Sequence, residues 1–170
     1  MFPIIKNIDD ILPAISNRKE FSVRQKEDGY TVINYDVVME DTFPTPDTKD
    51  PILNNFYALR RECRGIVFHT KTGLLLRRPW HKFFNINERS ETLEDKIDLS
   101  QSHWVMEKLD GSMIAPFVMD NEVIWASKAG GGTDVSTQVI EYLRDHDLLD
   151  LYNSYIKECD NKLTFLFEWC

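Results

Sequence analysis

Hydrophobic and polar residues recur with two different periods along the chain, and these periods predict where helices and strands lie. Isoleucines recur at helical spacing over residues 1–16, which predicts a short docking helix, although Pro13 interrupts its second half. Residues 51–61 predict another short helix. Thr133 and Asp134 form a pair typical of a helix N-terminus, and the helical spacing that follows predicts two helical stretches, the second ending near residue 156.

Strand patterns fill much of the remaining chain. Residues 20–38 are rich in β-forming side chains around Asp28-Gly29, which predicts a hairpin with a two-residue turn. Residues 63–68 and 74–78 predict a second hairpin, turned at Lys71-Thr72-Gly73. A meander of strands is predicted at residues 104–108, 113–119 and 123–128. Residues 41–51, with their prolines and aspartates, predict a loop, and residues 88–101 are only loosely helical.

The final pattern, residues 162–170, is strand-like and reaches the end of the sequence without a turn or cap. Natural domains usually avoid leaving the edge of an apolar strand open. We therefore expect an unpaired terminal strand, a domain that is incomplete at its carboxyl end, and self-association through that strand.

Length and composition narrow the class of protein. A chain of 170 residues with 42% hydrophobic and 28% charged residues fits one globular domain or a large part of one. Asp9 and Asp10 interrupt the apolar amino-terminal stretch where a signal peptide needs continuity, and no apolar run approaches membrane-spanning length, so we expect a cytoplasmic protein. Neither the three cysteines nor the four histidines show metal-ligand spacing.

Charge is distributed unevenly. The whole chain carries a net charge of −8, yet residues 60–89 hold eight basic side chains against two acidic ones. An acidic protein with one basic segment suits a cleft for a phosphorylated substrate better than a broadly basic nucleic-acid surface. A chance cluster on a solvated face is the alternative interpretation.

A lysine-centred motif stands between two predicted strands, in the sequence Glu107-Lys108-Leu109-Asp110-Gly111-Ser112. A lysine beside a glycine can bring its amine close to a phosphorus atom, because glycine has no Cβ to obstruct the approach. The amine attacks only in its neutral form, which desolvation or neighbouring cations favour, and Arg64, Lys82 and Lys128 are candidates for those cations. The motif alone also fits a plain turn with Asp-Gly at its corner.

Further motifs accompany Lys108 in a fixed order. They are ECRGIVF at residues 62–68, RPWHKFFNINE at residues 78–88, Ser127-Lys128 and Phe167-Glu168. With these motifs, the sequence from about residue 61 to its end resembles the nucleotidyltransferase domain of ATP-dependent RNA ligases of the bacteriophage T4 tRNA-repair type. The resemblance implies an α+β fold of antiparallel β-sheets with flanking helices, of the nucleotidyltransferase (ATP-grasp-like ligase) kind. It also implies joining of RNA 5′-phosphate and 3′-hydroxyl ends with ATP and Mg²⁺.

The resemblance assigns a role to each matching residue. Lys108 is the expected nucleophile, which attacks the α-phosphate of ATP and carries AMP as lysyl-AMP. Arg64, Lys82 and Lys128 match residues that contact the nucleotide phosphates, although solvated surface cations remain the alternative. The other residues expected at the nucleotide are Phe84, Glu107, Asp110, Gly111 and Glu168. Phe84 fits core filling nearly as well, and Glu168 is expected at the ribose or a metal-bound water unless it is a plain exposed carboxylate. No metal ligand is identified.

Departures from the pattern restrict this interpretation. DNA ligases and mRNA-capping enzymes extend the motif to K-x-D-G-x-R, whereas Met113 stands here at the arginine position, which disfavours both. The family's acidic metal-binding strand, its paired-lysine strand and its carboxyl-terminal domain have no counterpart in residues 1–170, so we expect self-adenylylation by these residues alone to be strongly impaired or absent. A non-catalytic nucleotide- or RNA-binding module is the competing hypothesis, and a purely structural interaction protein is the third.

Overall fold

The structure, a computed structural model, describes residues 2–170 as an α+β arrangement of helices and antiparallel sheets. The helices are α1 (Leu12–Ile15), α2 (Pro51–Glu62), α3 (Asp134–Asp145) and α4 (Leu149–Cys159). The strands are β1 (Phe21–Gln25), β2 (Tyr30–Tyr35), β3 (Arg64–His69), β4 (Leu75–Arg77), β5 (Ser112–Ile114), β6 (Phe117–Met119), β7 (Glu122–Ile124) and β8 (Phe167–Trp169). Short 3₁₀ turns lie at Ile8–Asp10, Ser90–Thr92 and Glu94–Lys96.

The first four strands form one antiparallel sheet in chain order. The β1–β2 hairpin is confirmed, although four residues separate its strands instead of the predicted two. Gly29 closes that loop at φ +93°, a backbone conformation that glycine adopts without strain. The β3–β4 hairpin is also confirmed, with Gly73 at φ +70° in its turn.

Alternate residues of the central strands enter separate cores on the two faces of this sheet. Ile33 of β2 and Ile66 of β3 pack in one cluster with residues of α1 and α2. Val32 and Val67, which are adjacent in sequence to Ile33 and Ile66, pack in a second cluster with Phe117 of β6. This division follows from the two-residue period of a strand, and it explains why β2 and β3 are buried on both sides.

The remaining strands and the last two helices form a third packing unit. β5 pairs with β8 and β6 pairs with β7, while side chains of α3 and α4 pack around the buried Trp125. The predicted helix cap is confirmed, because the Thr133 hydroxyl accepts a hydrogen bond from the Ser136 backbone N–H at 3.2 Å. The indole N–H of Trp125 donates to Asn153 Oδ1 at 2.9 Å, so its buried polar group is satisfied.

Arg77 joins this third unit to the four-stranded sheet. Its side chain is 1% exposed, and its guanidinium donates to the carbonyl oxygens of Gly65, Ala115, Ala126 and Ser127 at 2.7 to 3.3 Å. Burial lowers the pKa of Arg77 to about 9, so the group stays charged at neutral pH. A buried cation surrounded by carbonyl dipoles therefore connects β3 to the segment between β5 and β6 and to the residues that precede Lys128.

Several predicted elements are wrong or misplaced. Residues 102–110 form no regular secondary structure, and Trp104 and Val105 are each 91% exposed, because no strand pairs with this segment among residues 2–170. The strand predicted at 113–119 is divided into β5 and β6 at Pro116, which has no N–H for a ladder. The strand predicted at 123–128 ends at Ile124, and Lys128 lies in a turn.

Both ends of the described chain also differ from expectation. The predicted amino-terminal helix is reduced to a 3₁₀ turn and the four-residue α1, with Pro13 inside α1. The terminal strand is paired along one edge, since Ser112 lies opposite Trp169 and Ile114 lies opposite Phe167, so the prediction of an unpaired strand is wrong for that edge. Its other edge has no partner strand among residues 2–170. Among residues 2–170, no helix combines the length and the apolar character needed to cross a membrane.

Candidate active site

Lys108 lines an open groove of about 430 Å³ whose other lining residues come from β3, β5, β8, the segment after β4 and the segment of Lys108 itself. Arg64 of β3, Glu107 of the same segment and Glu168 of β8 line the groove with it. Trp80, Phe83 and Met113 supply apolar walls. Glu107 and Lys108 thus line one groove with Arg64 and Glu168, which are distant from them in the sequence.

Arg64 is the cation at the centre of this arrangement. Its guanidinium lies 5.3 Å from the centroid of the Phe83 ring and donates to the Met113 sulfur at 3.7 Å. Within residues 2–170, no carboxylate lies within 4.0 Å of it in an ion pair. A half-buried guanidinium without an acidic partner suits an anionic ligand, because its fork of donors matches a phosphate group.

Lys82 lies near Arg64, on the segment between β4 and the 3₁₀ turns. The Lys82 backbone N–H donates to the Arg61 carbonyl at 2.7 Å, which holds this segment against the end of α2. Burial lowers the pKa of Lys82, and Arg64 and Arg89 lower it further, while Glu88 at 3.9 Å opposes the shift. The shift indicates a crowded positive site.

Lys128 adds the third cation and occupies a tight turn between Ser127 and Gly130. Its Nζ lies 3.8 Å from the centroid of the Tyr35 ring and 3.4 Å from the Tyr35 carbonyl oxygen. Burial lowers the pKa of Lys128, with Arg64 and Lys82 adding to the shift and Asp36 opposing it. The structure therefore brings Arg64, Lys82 and Lys128 within electrostatic reach of one another.

Two backbone contacts fix the position of the Lys128 turn. Asn34 Nδ2 donates to the Lys128 carbonyl at 3.0 Å. Gly65 lies against the same turn with φ +84°, and a Cβ at this position would meet the Lys128 carbonyl oxygen at 3.0 Å. The glycine that follows Arg64 is therefore needed for two reasons, its backbone conformation and the close approach of the turn.

Glu168 reaches the groove through the pairing of β5 with β8. It lies opposite Met113 in the ladder, and Met113 contacts Arg64. Gly111 lies at the start of this pairing, where a Cβ would clash with the Trp169 carbonyl oxygen. The close approach that Gly111 allows in this structure is thus to a neighbouring strand.

Lys108 itself is exposed, as are Glu107 and Asp110, on the segment without regular structure. The Asp110 carboxylate makes no hydrogen bond to the other residues between positions 2 and 170, so its expected place at the nucleotide rests on the motif alone. Glu107 and Lys108 line the groove, whereas Lys82 and Lys128 lie outside its lining, where the Nζ of each donates to a backbone carbonyl.

Phe84 lies away from the groove lining and packs against the sheet core, at 6.2 Å from Phe43. Its ring is surrounded by positive groups: Arg61 at 5.2 Å, Lys82 at 4.3 Å and Arg89 at 4.9 Å from the centroid. Phe84 therefore fills the core and contacts the cation cluster through Lys82, and its expected place at the nucleotide stays a prediction.

Comparison with known proteins identifies the family. The profile of a family described as RNA ligase matches residues 62–170. The chain belongs to the RNA ligase family. It is 35% identical over 116 residues to a Thermovibrio ammonificans protein with a provisional RNA ligase name, covering 68% of this chain and 27% of that protein. It is 28% identical over 126 residues to RNA ligase 1 of bacteriophage TS2126, covering 72% of this chain and 29% of that protein.

The RNA ligase match contains every residue predicted at the site, from Arg64 to Glu168. The amino-terminal hairpin and α1 lie outside it, although Tyr35 and Asn34 from that region hold Lys128. The chain spans little more than a quarter of the length of both relatives.

Sequence reasoning missed several residues of this candidate site. Phe83, next to the predicted Phe84, is the phenylalanine that lines the groove and contacts Arg64. Tyr35 and Arg77 were also missed. Each contacts a residue far along the sequence, Lys128 for Tyr35 and Ala115 for Arg77, and no local motif indicates such a contact. The signal available for Phe83 was its place in the KFFNINE block beside Lys82.

The residues present suit the phosphates of a nucleotide better than a free metal ion. Arg64, Lys82 and Lys128 form a positive site, whereas no group of three or more His, Cys, Asp or Glu side chains in the described residues could hold a metal. Mg²⁺ is commonly held by one or two carboxylates together with substrate phosphates. Glu107 and Glu168 are the carboxylates of the groove that fit this pattern.

Proposed function

We propose that this chain carries the nucleotide-transfer site of an ATP-dependent RNA ligase, built on a nucleotidyltransferase fold. The observation that carries the proposal is the convergence of Lys108, Arg64 and Glu168 on one groove beside Lys82 and Lys128, in a member of the RNA ligase family. The reaction is the joining of an RNA 5′-phosphate to an RNA 3′-hydroxyl.

In the first step, the neutral Nζ of Lys108 attacks the α-phosphorus of ATP. A nitrogen–phosphorus bond forms, the bond from this phosphorus to the bridging oxygen breaks, and pyrophosphate leaves with the electron pair. The amine proton passes to solvent, and the product is lysyl-AMP. Arg64, Lys82 and Lys128 stabilise the negative charge on the phosphoryl oxygens during this transfer.

Two further transfers complete the joining. An oxygen of the RNA 5′-phosphate attacks the phosphorus of lysyl-AMP, and the Lys108 amine leaves and takes up a proton. The RNA 3′-hydroxyl then attacks the 5′-phosphate of the adenylylated RNA, so that a phosphodiester forms while AMP leaves and the hydroxyl proton is released. The transferred phosphoryl groups stay close to the same cations, because the charge to be stabilised is similar in each step.

Two carboxylates of the groove have roles in this proposal. Glu168 contacts the ribose of the nucleotide or a water on Mg²⁺, and Glu107 lies beside Lys108 at the nucleotide. Bound Mg²⁺ supplies charge neutralisation on the phosphates. Neither carboxylate forms an ion pair with Arg64, which leaves that guanidinium free for the nucleotide.

Covalent labelling tests the proposal. The purified chain is incubated with Mg²⁺ and ATP labelled at the α-phosphate, beside Lys108→Ala and the control Lys157→Ala, which changes a lysine on α4 outside the groove. Because the family's paired-lysine strand has no counterpart in residues 1–170, we expect only a weak label on the unmodified chain, an equal label on Lys157→Ala, and none on Lys108→Ala. Label that persists in Lys108→Ala contradicts the proposed nucleophile.

A non-catalytic nucleotide-binding module is the second candidate function. The observation that favours it is the contrast between the firmly held cations and the exposed, irregular segment that carries Lys108. Equilibrium binding of ATP separates the two candidates. ATP binding that depends on Arg64 and Lys128, with no covalent label, supports the binding module, whereas label that depends on Lys108 supports the ligase.

A further inference from the structure

A second cavity, of about 650 Å³, lies on the other side of the wall formed by Trp80 and Phe83. Trp80 and Phe83 line both this cavity and the Lys108 groove. The side chains found only in the second cavity are Phe2, Glu62, Arg78 and His81, together with Pro79. The sequence motifs assign no role to this cavity, although RPWHKFF contributes most of its lining.

Aromatic rings dominate the surface of the cavity. Phe2 and His81 meet edge to face with their ring centroids 5.1 Å apart, and Trp80 and Phe83 do so at 6.3 Å. Trp80 is 58% exposed and Phe83 41% exposed, so much of their ring area is not covered by the protein. Uncovered rings of this kind are the surfaces on which nucleobases stack, with little preference for sequence.

The polar groups of the cavity are neutralised within the protein. Glu62, 3% exposed, accepts two hydrogen bonds from the Arg78 guanidinium at 2.9 Å each. Burial lowers the pKa of His81, and although Glu62 opposes this, Arg61, Arg78 and Arg64 lower it further, so the imidazole is neutral at neutral pH. The cavity therefore presents rings and one neutral imidazole, which can donate to and accept from the edge of a base.

Unneutralised positive charge lies at the shared wall. Arg64 packs on the Phe83 ring and has no carboxylate partner within 4.0 Å among residues 2–170. An apolar aromatic cavity next to a free guanidinium is complementary to a nucleotide, whose base is aromatic and whose phosphate is anionic. A peptide partner would leave Arg64 without a counterion unless it were acidic, so a nucleic acid fits this charge distribution better.

We propose that the cavity between Phe2, His81, Trp80 and Phe83 binds a nucleobase of a single-stranded RNA end, with the phosphate of that nucleotide directed to Arg64 at the edge of the Lys108 groove. This inference rests on the proposed ligase function, since it gives the RNA end a place beside the nucleotide. ATP occupies the Lys108 groove. The aromatic wall separates the two bases, while both ligands direct a phosphate towards Arg64.

The test measures RNA and ATP binding separately. The full chain is titrated with a short 5′-phosphorylated oligoadenylate carrying a 3′ fluorophore, followed by anisotropy, and ATP binding is measured by calorimetry. Phe2→Ala and His81→Ala change side chains that line the second cavity and not the Lys108 groove. We expect each to bind the RNA about tenfold more weakly, through the loss of a stacking ring at Phe2 and of a base-edge hydrogen bond at His81, with ATP affinity unchanged.

Matched variants keep the test specific. Trp104→Ala removes an indole that is 91% exposed and lies outside both cavity linings, and it should bind RNA like the unmodified chain. Trp80→Ala tests the cavity from an exposed position that contributes little to folding, and Trp80→Phe, which retains a stacking ring, should restore most of the RNA affinity. Circular dichroism verifies that each variant is folded.

The outcomes are decisive in both directions. Unchanged RNA affinity in Phe2→Ala, His81→Ala and Trp80→Ala overturns the inference, as does an unmodified chain that binds no oligoadenylate. A loss of ATP affinity equal to the loss of RNA affinity also overturns it, because the adenine of ATP would then occupy the cavity. The Lys108 labelling assay tests the proposed function independently. Lys108-dependent label with no change in RNA binding in the variants rejects this inference alone. A Phe2-dependent loss of RNA binding with label that persists in Lys108→Ala contradicts the proposed ligase mechanism alone.

Discussion

At the scale of single residues, the site is a set of cations that the fold keeps partly out of water. Arg64, Lys82 and Lys128 influence one another, and burial lowers the pKa of both lysines. Gathering such charges without a matching set of carboxylates opposes folding, so their placement is best explained by an anion that binds them. The same argument gives the site a pH dependence.

The pH dependence of ATP affinity provides the first prediction. A lysine with a lowered pKa loses its charge below the ordinary lysine value of 10.5, and a phosphate site loses affinity with that charge. ATP affinity should therefore fall as pH rises through the lowered pKa values of Lys82 and Lys128, before 10.5. Calorimetry between about pH 7 and 10 measures the profile.

Arginine substitution provides the control for this profile. The double change Lys82→Arg and Lys128→Arg keeps both charges at alkaline pH, and it should flatten the decline. Lys157→Arg, on α4 outside the groove, should leave the decline as it is. A decline of equal slope in the double variant would show that other groups titrate and that the two lysines do not bind the phosphates.

Tyr35 positions Lys128, and this provides a second prediction. Its ring centroid lies 3.8 Å from Lys128 Nζ, a cation–π contact worth about 1 kcal/mol. Tyr35→Leu should weaken ATP binding about fivefold, whereas Tyr35→Phe keeps the ring and should bind nearly as the unmodified chain does.

The two Tyr35 variants also separate binding from stability. Tyr35 packs on Phe43 at 5.2 Å, so leucine should retain much of the buried apolar area. Urea unfolding measures the change in stability, and calorimetry measures the change in affinity. Equal losses of affinity in Tyr35→Phe and Tyr35→Leu would mean that the hydroxyl group, and not the ring, is what matters.

At the scale of elements, local patterns predicted the parts of the fold whose causes are local. The Thr133 cap, the turn at Gly73 and helix α2 after Asp50 depend on hydrogen bonds and backbone conformations within a few residues. The predicted strand over residues 104–108 failed because a strand also needs a partner, and no neighbour along the chain supplies one.

Site prediction was limited in the same way. The order of motifs indicated Arg64, Lys108 and Glu168, and these line one groove. The pattern did not distinguish Phe83 from Phe84, because which of two adjacent side chains faces the groove depends on how the segment packs on the sheet. The second cavity was not predicted either, since Phe2 comes from the opposite end of the sequence.

The contact between β3 and the Lys128 turn gives a third prediction, at the element scale. Gly65→Ala adds a Cβ that meets the Lys128 carbonyl oxygen at 3.0 Å, and it also strains a φ of +84°. Gly132→Ala strains a φ of +66° but has nothing within 4 Å of its Cβ. Gly132→Ala should lower the free energy of unfolding by about 1 kcal/mol, and Gly65→Ala by at least about 1 kcal/mol more.

Urea unfolding of the two glycine variants measures this difference, which isolates the effect of close packing from that of backbone strain. Because the same contact positions Lys128, Gly65→Ala should also weaken ATP binding, while Gly132→Ala should not. Equal stabilities would show that the Lys128 turn can move away from β3 at no cost, and that the approach at Gly65 does not fix the site.

At the scale of the whole molecule, the cations and the Lys108 segment lie on parts of the fold that Arg77 joins. Arg64 is the first residue of β3 in the four-stranded sheet, while Lys128 and β5 belong to the third packing unit. The Arg77 guanidinium donates to the Gly65 carbonyl at 2.7 Å on one side and to the Ala115 carbonyl at 2.8 Å on the other. Its charge and planar fork satisfy carbonyl groups that water does not reach.

Replacing Arg77 should therefore weaken the connection between the sheet that carries Arg64 and the third packing unit that carries Lys128. Arg77→Leu leaves these buried carbonyl groups without donors, and we expect it to lower the free energy of unfolding by about 3 to 5 kcal/mol. Arg77→Lys keeps the charge but loses the fork, so its effect should be intermediate. Arg24→Leu, which breaks an exposed ion pair with Asp36, should change stability by less than about 1 kcal/mol.

Urea unfolding orders these variants, and ATP binding measured well below each midpoint tests the connection to the site. If Arg77 aligns Arg64 with Lys128, fully folded Arg77→Lys should bind ATP more weakly than the unmodified chain. Arg24→Leu should bind ATP as the unmodified chain does. An Arg77→Lys variant with reduced stability but unchanged ATP affinity would mean that the sheet and the third unit hold their alignment through apolar packing alone. Arg77 would then stabilise the fold without positioning the cations.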